Sequence, residues 1–159
     1  MENRVEKRKE DSKVEQVFMV RPPHVNGYGR LFGGVLMQWI DETAGIVGRR
    51  HAEKLVTTAS IDNLVFKSPA YQNDMIVLVG KLNYVGRTSM EVEVDTYIED
   101  IHGMRRQINR AYVVMVAIDE NGPPVPVPGL LIETDQDQWE WDNAEKRVEL
   151  RKKRRQEGY

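Results

Sequence analysis

The sequence contains no cysteine, which excludes disulfide bonds, thiolate nucleophiles and cysteine metal sites. It has three histidines, and His24, His51 and His102 do not have the spacing of metal ligands, so we expect no metal. No Gly-x-Ser-x-Gly segment is present, so the nucleophile elbow of the serine hydrolases is missing. No apolar run is long enough to cross a bilayer, and residues 1–13 carry mixed charge rather than a secretory signal. We therefore expect a cytoplasmic protein that binds no membrane.

The chain also lacks a large excess of either charge. Its formal net charge is −2 over 159 residues, which gives no general attraction to nucleic acid. A basic cluster, Arg151 to Arg155, lies near the end of the chain, but charge runs at a terminus are usually solvated, so we expect no nucleic-acid partner. Hydrophobic residues make up 40% and charged residues 30%, and the length fits one globular domain.

The most informative stretch is a glycine-rich loop, His24 to Gly34, that runs into a predicted helix from Gly33 to His51. Paired glycines at a helix start leave backbone N–H groups accessible at the positive end of the helix dipole. Asp41 lies two turns further along, among apolar neighbours. Oxyanion donors at Gly33 and Gly34 beside a candidate general base are the parts that acyl transfer needs.

Each of these residues also has a structural interpretation. Asp41 can be a helix acid held in an ion pair, and Asn26 can be a turn residue that tolerates a left-handed backbone. Gly33 and Gly34 can serve close packing of the helix on a sheet, and this role is compatible with an oxyanion hole.

The hydrophobic period changes from 3.6 to 2 after the helix. Strands are predicted at residues 57–66, 75–85, 90–98 and 108–118, and an earlier one at 14–20. In the strand from Met90, acidic residues alternate with apolar ones, so we expect its acidic face to be solvated. One long helix and several long strands with short turns predict an α+β fold in which an antiparallel sheet wraps the helix.

We divide the chain into three parts on these patterns. Residues 1–13 form a charged N-terminal arm, which we expect to be solvated. Residues 14–130 form the domain. Residues 131–159 form a charged C-terminal extension, with a helix predicted from Gln136 to Gln156, whose early acids and late bases suit the helix dipole.

Six segments occur together in a recognisable order. They are Asn26-Gly-Tyr-Gly29, Phe32-Gly-Gly34, Met37-Gln-Trp-Ile-Asp41-Glu-Thr-Ala-Gly45, Val65-Phe-Lys-Ser-Pro69, Gly86-Arg-Thr-Ser89 and residues 116–128. With them the chain resembles the hotdog-fold acyl-CoA thioesterases of the YciA and brain acyl-CoA hydrolase type, over roughly residues 14–130. One departure is Asn73-Asp74, where the family usually has Gly-Asp before a strand.

The resemblance implies a hotdog fold, a long central helix wrapped by a five- or six-stranded sheet, and hydrolysis of acyl-CoA to coenzyme A and a carboxylic acid. It implies a homo-oligomer, at least a dimer and commonly a trimer of dimers, with active sites at the dimer interface. Asp41 then acts as general base or as nucleophile and faces Asn26 of the other subunit. The amides of Gly33 and Gly34 form the oxyanion hole, and no cofactor is needed beyond the coenzyme A of the substrate.

Coenzyme A brings phosphates and an adenine, so basic and hydroxyl residues are candidates for binding it. These candidates are Lys67, Arg87, Thr88, Ser89, Arg105 and Arg106. Asp62 and Asn63, on the strand after the helix, are candidates for lining the acyl or pantetheine part.

Two other functions stay open from the residues. A hotdog dehydratase or hydratase needs a histidine base paired with a helix acid, and His24 with Asp41 or Glu42 is one such pair. A non-catalytic acyl-CoA sensor would use the same pocket without releasing thiol.

Overall fold

The computed structural model describes residues 4–62 and 64–159. In chain order they form strand β1 (Glu6–Arg8), a 3-10 helix (Lys9–Asp11), strand β2 (Val14–Met19), a second 3-10 helix (Pro22–His24), helix α1 (Gly33–Ala52), strands β3 (Leu55–Asp62), β4 (Met75–Val85), β5 (Ser89–Glu99), β6 (Arg105–Ile118) and β7 (Gly129–Leu131), and helix α2 (Asp135–Glu157). No helix in these two ranges has the length and apolar character needed to span a membrane.

Strands β2, β4, β5, β6 and β3 form one antiparallel sheet in that order, and it packs against α1. Helix α1 is amphipathic: Leu36, Ile40, Ala44 and Val47 are buried in the core against the sheet. The helix ends at Glu53, whose backbone is left-handed with a φ of 53°. This architecture confirms the predicted α+β class and the long helix wrapped by a five-stranded sheet.

Strand β5 corrects one expectation about the sheet. Its apolar residues face α1 as predicted, but the acidic residues on the other face are buried too: Glu91, Glu93 and Asp95 are only 2%, 4% and 6% exposed. Helix α2 packs over this outer face, and Arg147 and Arg151 of α2 pair with Glu91. Lys81 and Arg110 lie beside Glu93, and Arg110 pairs with Asp95, so basic side chains rather than solvent surround the acidic face.

The N-terminal arm is also more ordered than expected from its charge. Strand β1 pairs in parallel with β7 and forms a separate two-stranded sheet. Lys9 is only 8% exposed and forms ion pairs with Asp137 and Glu140 of α2. The arm is therefore ordered: Lys9 and Ser12 are buried, while most of the other residues from 4 to 13 are exposed, as expected.

Candidate active site

Asp41 is a partly buried residue on α1, and Thr58 of β3 lies beside it. The Thr58 hydroxyl donates a hydrogen bond to Asp41 Oδ1 over 2.5 Å. The same Oγ1 atom lies 3.5 Å from Sδ of Met115, behind it in the core. Among the described residues no lysine, arginine or histidine forms a salt bridge with Asp41. The ion-pair interpretation of Asp41 therefore has no support within one chain.

A β-bulge in β3 decides where Thr58 points. Thr58 is opposite Met115 and Ser60 is opposite Val114, so Ala59 is the extra residue of β3 in the ladder. Side chains directly opposite each other share a face of the sheet, so Thr58, like the buried Met115, faces α1. Sequence reasoning missed Thr58. The available signal was a cluster of hydroxyl residues, Thr57, Thr58 and Ser60, on the strand directly after the helix.

Gly33 and Gly34 begin α1, as predicted, and no side chain caps this end of the helix. The N–H groups of Val35 and Leu36 donate to the carbonyl of Phe32 over 3.0 and 3.2 Å. Within the described chain the N–H groups of Gly33 and Gly34 have no such acceptor. They point from the positive end of the helix and can receive an oxyanion.

Two aromatic rings lie over this diglycine step. A Cβ atom on Gly34 would lie 2.7 Å from Cε1 of Phe32, and one on Gly33 would lie 3.1 Å from Cζ of Phe66. The packing role and the donor role of these glycines are therefore compatible, because without a Cβ atom both rings fit beside the amides where they stand.

Asn26 organises the loop that precedes α1. Its Oδ1 accepts hydrogen bonds from the N–H groups of Tyr28 and Arg30 over 2.9 and 3.2 Å. The side chain is exposed, and its amide N–H groups meet no acceptor in the part of the chain that the structure describes. No hydrogen bond joins Asn26 to Asp41 between these described residues, so one chain alone does not bring the two together.

The pair required for a dehydratase is not formed within the described residues. Nδ1 of His24 accepts a hydrogen bond from the N–H of Arg21 over 2.9 Å, and its ring packs edge-on against Trp39. Glu42 is exposed and accepts a hydrogen bond from Gln38 over 2.9 Å. No hydrogen bond or salt bridge among the described residues joins His24 to Asp41 or Glu42.

The turn from Gly86 to Ser89 joins β4 to β5. The carbonyl of Arg87 accepts from the N–H of Val127 over 2.9 Å, and that of Thr88 accepts from the N–H of Ala117 over 3.0 Å. The Arg87 side chain is exposed and forms no salt bridge with any described residue. Its charge is therefore available to a phosphate.

Arg105 and Arg106 lie at the other end of β5 and β6. Arg105 is paired with Glu99 over 2.9 Å and also with Glu15. Strand β5 runs from Ser89 to Glu99, a span of about 33 Å at about 3.3 Å per residue. Within one chain, Arg105 and Arg87 therefore belong to different surfaces.

Lys67 belongs to a third surface, a cavity of about 310 Å³ beside the start of β6. The cavity is lined by Val65, Lys67, Gln107, Ile108, Asn109 and Arg110. Asn109 Nδ2 donates to the carbonyl of Val65 over 2.8 Å, which ties this loop to the sheet.

Asp62 is placed away from Asp41. Its carboxylate pairs with Arg151 over 2.5 Å and with Arg154 over 3.1 Å, both from α2 on the outer face of the sheet. Burial would raise the pKa of Asp62, but hydrogen bonds and charges from these arginines outweigh it and hold that pKa below its usual value. Asp62 therefore lies on the opposite face of β3 from Thr58 within the described chain, and its place along the substrate path stays a prediction. Asn63 lies outside the described residues.

Apolar side chains around the start of α1 form an exposed surface. Phe32, Met37, Phe66 and Tyr71 are 54%, 42%, 53% and 48% exposed. An exposed apolar surface of this kind marks a place where a ligand or another subunit docks. In residues 4–62 and 64–159, no group of three or more histidine, aspartate or glutamate side chains could hold a metal ion.

Comparisons with known proteins place the chain in a family. A family model described as the Thioesterase superfamily matches residues 28–104. YkhA of Bacillus subtilis, named an uncharacterized acyl-CoA thioester hydrolase, is 37% identical over 91% of this chain and 85% of its own length. A cytosolic acyl coenzyme A thioester hydrolase of Rattus norvegicus is 30% identical over 91% of this chain and 39% of its own.

Solved structures give the same result. An acyl-CoA hydrolase from Staphylococcus aureus, in complex with butyryl coenzyme A, coenzyme A and coenzyme A disulfide, has a TM-score of 0.89 and 38% identity over 95% of this chain and 93% of that one. Variants of that enzyme with one asparagine, one aspartate or one threonine replaced by alanine have also been solved. An apo-hexameric acyl-CoA thioesterase has a TM-score of 0.86 and 37% identity over 94% and 97% of the two chains.

Similarity of this extent, over nearly the whole chain and with the same fold, establishes common ancestry. The chain belongs to the Thioesterase superfamily, among the hotdog-fold acyl-CoA thioester hydrolases.

Proposed function

We propose that this protein hydrolyses acyl-CoA thioesters to coenzyme A and a carboxylic acid, with Asp41 as the group that activates water. The observation that carries the assignment is the hydrogen bond from Thr58 to Asp41, on a helix that begins with two free amides. Relatives that carry this activity in their names support the substrate class.

The reaction begins with water held against the free oxygen of Asp41. Thr58 occupies Oδ1, so Oδ2 accepts a proton from the water as its oxygen attacks the thioester carbonyl. The amides of Gly33 and Gly34 donate hydrogen bonds to the developing oxyanion. The tetrahedral intermediate then collapses, the C–S bond breaks, and the leaving thiolate takes the proton from Asp41.

Attack by Asp41 itself is the second route for the same residues. Oδ2 then bonds to the acyl carbon, thiolate leaves, and water hydrolyses the mixed anhydride. Both routes use only water and groups of the chain, so we propose that no cofactor takes part.

The three residues substituted in the Staphylococcus aureus enzyme support this choice of residues. An asparagine, an aspartate and a threonine were changed there, at the same sequence spacings as Asn26, Asp41 and Thr58. We assign Asn26 the task of orienting the water or the carbonyl through its side-chain amide.

We propose that Asn26 reaches Asp41 from a second copy of the chain. Strand β3 is an edge strand that, in the described residues, pairs with β6 alone, so its other edge is open to a partner strand. The exposed apolar surface around Phe32 and Phe66 would be covered by the same partner. We further propose that three such dimers form a hexamer, the assembly named for one of the similar structures.

Coenzyme A would then be held by basic groups that the structure leaves accessible. We propose Arg87 for a phosphate, assisted by Thr88 and Ser89, and Lys67 for a second contact from its own surface. We place the reaction in the cytoplasm, as in the name of the rat relative.

Thiol release from butyryl-CoA and longer acyl-CoAs tests the proposal. Wild-type protein should release one thiol for each carboxylic acid formed, and Asp41→Ala and Asn26→Ala should lose most of that activity while still binding coenzyme A. Full activity in Asp41→Ala would end the proposed mechanism. Tight binding of coenzyme A without thiol release in the wild type would identify a sensor. Hydration or dehydration of acyl-CoA without thiol release, abolished in His24→Ala while acyl-CoA binding stays intact, would favour a dehydratase.

A further inference from the structure

Asp62 and Thr58 lie on the same edge strand but face opposite sides of the sheet. Thr58 faces α1 and Asp41, whereas Asp62 faces α2 and its arginines. In a regular strand, residues four positions apart point to the same side. The bulge at Ala59 shifts this alternation, so the strand can present both side chains correctly only while the extra residue stays between them.

The outer end of β3 is held by a network that reaches two other elements. Arg151 bonds Asp62 on β3 and also Glu91 on β5, and Arg154 contacts the second oxygen of Asp62. Glu91 is 2% exposed and also accepts a hydrogen bond from Arg147. The arginine contacts therefore connect β3, β5 and α2 across the outer face.

The position of the bulge depends on which side chains find partners on each face. If the extra residue moved beyond Asp62, that carboxylate would turn away from its arginines and toward the apolar core. If it moved toward Leu55, Thr58 would turn out of the site, away from Asp41. The first shift is opposed by the ion pairs of Asp62, because an unpaired buried carboxylate is costly.

We propose that Asp62 and Arg151 are positioning residues for Thr58: their ion pair on the outer face of the sheet fixes the bulge that aims the Thr58 hydroxyl at Asp41. The inference rests on the proposed function of the Thr58–Asp41 pair. It assigns a role in the reaction to the C-terminal helix, although α2 contributes no residue to the proposed catalytic group.

Asp62→Asn tests this inference, since the amide keeps the shape of the side chain and removes its charge. We expect kcat to fall about 10-fold with KM changed less than about twofold, because a small misplacement of a catalytic group affects the chemical step most. In a Thr58→Val background, Asp62→Asn should cause no further fall in kcat, because the residue through which it acts is already lost.

Glu140→Gln is the matched control. Glu140 is another buried carboxylate that holds α2, through Lys9 and Lys81, but it forms no hydrogen bond or salt bridge with β3 among the described residues. Glu140→Gln should leave kcat within about twofold of wild type. It should lower the free energy of unfolding about as much as Asp62→Asn does. Equal falls in kcat for Asp62→Asn and Glu140→Gln would overturn the inference, since any loosening of α2 would then suffice.

Two further results would also overturn it. One is a folded Asp62→Asn variant with wild-type kcat. The other is an equal fall in kcat when Asp62→Asn is introduced into the wild type and into Thr58→Val. If Asp62→Asn does not fold, Arg154→Gln removes only the contact from the half-exposed arginine and should give a smaller fall with the same dependence on Thr58. Wild-type kcat in Thr58→Val alone would refute the proposed function of Thr58 directly. This result distinguishes a failure of that function from a failure of the positioning role of Asp62 and Arg151.

Discussion

The hydroxyl of Thr58 donates a 2.5 Å hydrogen bond to Oδ1 of Asp41, from the edge strand to the central helix. The bond occupies Oδ1, and among the described residues no hydrogen bond or salt bridge is found for Oδ2. Because a serine or threonine hydroxyl has one proton to donate, Thr58 cannot give it to Asp41 and to Sδ of Met115 together. The charged carboxylate is the stronger acceptor, and this sets the orientation of the hydroxyl.

We expect Thr58→Val to lower kcat by about 10-fold to 10²-fold, because a hydrogen bond to a charged group contributes about 1.5–3 kcal/mol. Valine keeps the shape of the side chain, so the stability of the fold should change little. Thr58→Ser retains the hydroxyl and should keep most of the activity. Initial rates of thiol release with butyryl-CoA measure both, and equal rates for Val and Ser would show that the hydrogen bond does not matter.

Asp41→Asn should lower kcat by roughly 10²–10⁴, the range for loss of a general base, with binding of coenzyme A retained. Asparagine has nearly the same size and can still accept the hydrogen bond from Thr58. Calorimetric titration with coenzyme A checks the binding, and thiol release checks the rate. A variant that binds no coenzyme A would point to a role for Asp41 in holding substrate instead.

A single turnover in ¹⁸O-labelled water tests whether an anhydride is hydrolysed at the Asp41 carboxyl, because attack of water on the acyl carbon labels the product by either route. If Asp41 acts as a base, the label enters the carboxylic acid product and Asp41 stays unlabelled. If an anhydride forms and water attacks the carbon of the Asp41 carboxyl, the label enters the protein and the first product is unlabelled. Mass spectrometry of the product and of the peptide containing Asp41 reads the result. We expect label in the product.

The sequence predicted the elements of this fold well and their contacts less well. The helix predicted at Gly33 to His51 is Gly33–Ala52 in the structure, because its apolar period is strong and its glycine start is distinctive. The acidic face of β5 was expected to meet water. Alternation shows which residues share a face, but it does not show that a distant helix supplies Arg147 and Arg151 to that face.

Thr58 was missed for a related reason. It is one of three hydroxyl residues within four positions, and the sequence does not reveal where a bulge interrupts the alternation of a strand. The loop before β4 shows the opposite case. Asn73 has a φ of 74°, and asparagine tolerates this left-handed backbone, so it can replace the glycine that the family usually has there.

Gly34→Ala should lower kcat, because the new methyl group would meet the ring of Phe32 at 2.7 Å and displace it or the start of the helix. We expect a fall of about 10-fold, less than the 10²–10³ for complete loss of an oxyanion donor, because the N–H remains. Adding Phe32→Ala should recover part of the rate if the clash is the cause. No recovery would mean that the helix start itself has moved.

His51 should make stability depend on pH near neutrality. It is fully buried at the end of α1, and its Nε2 lies 2.9 Å from the carbonyl of Pro128, which can only accept, so Nε2 carries the proton. Nδ1 is buried without a partner in the described part of the chain. Burial lowers the pKa of His51 below 6.5, the charges of Lys7 and Arg4 lower it further, and the hydrogen bond to Pro128 opposes this only in part.

The sign of the effect follows from proton binding. Between the folded-state pKa and 6.5 the unfolded chain binds more protons at this histidine, so the free energy of unfolding rises with pH and is fully restored above 6.5. His51→Gln keeps an N–H donor for Pro128 and does not titrate, so it should flatten this rise. Urea unfolding from about pH 5 to about pH 8, at fixed protein concentration, measures it. His102 is exposed, so His102→Gln is the control and should keep the wild-type slope of unfolding free energy against pH. The same slope in His51→Gln would assign the pH dependence to other groups.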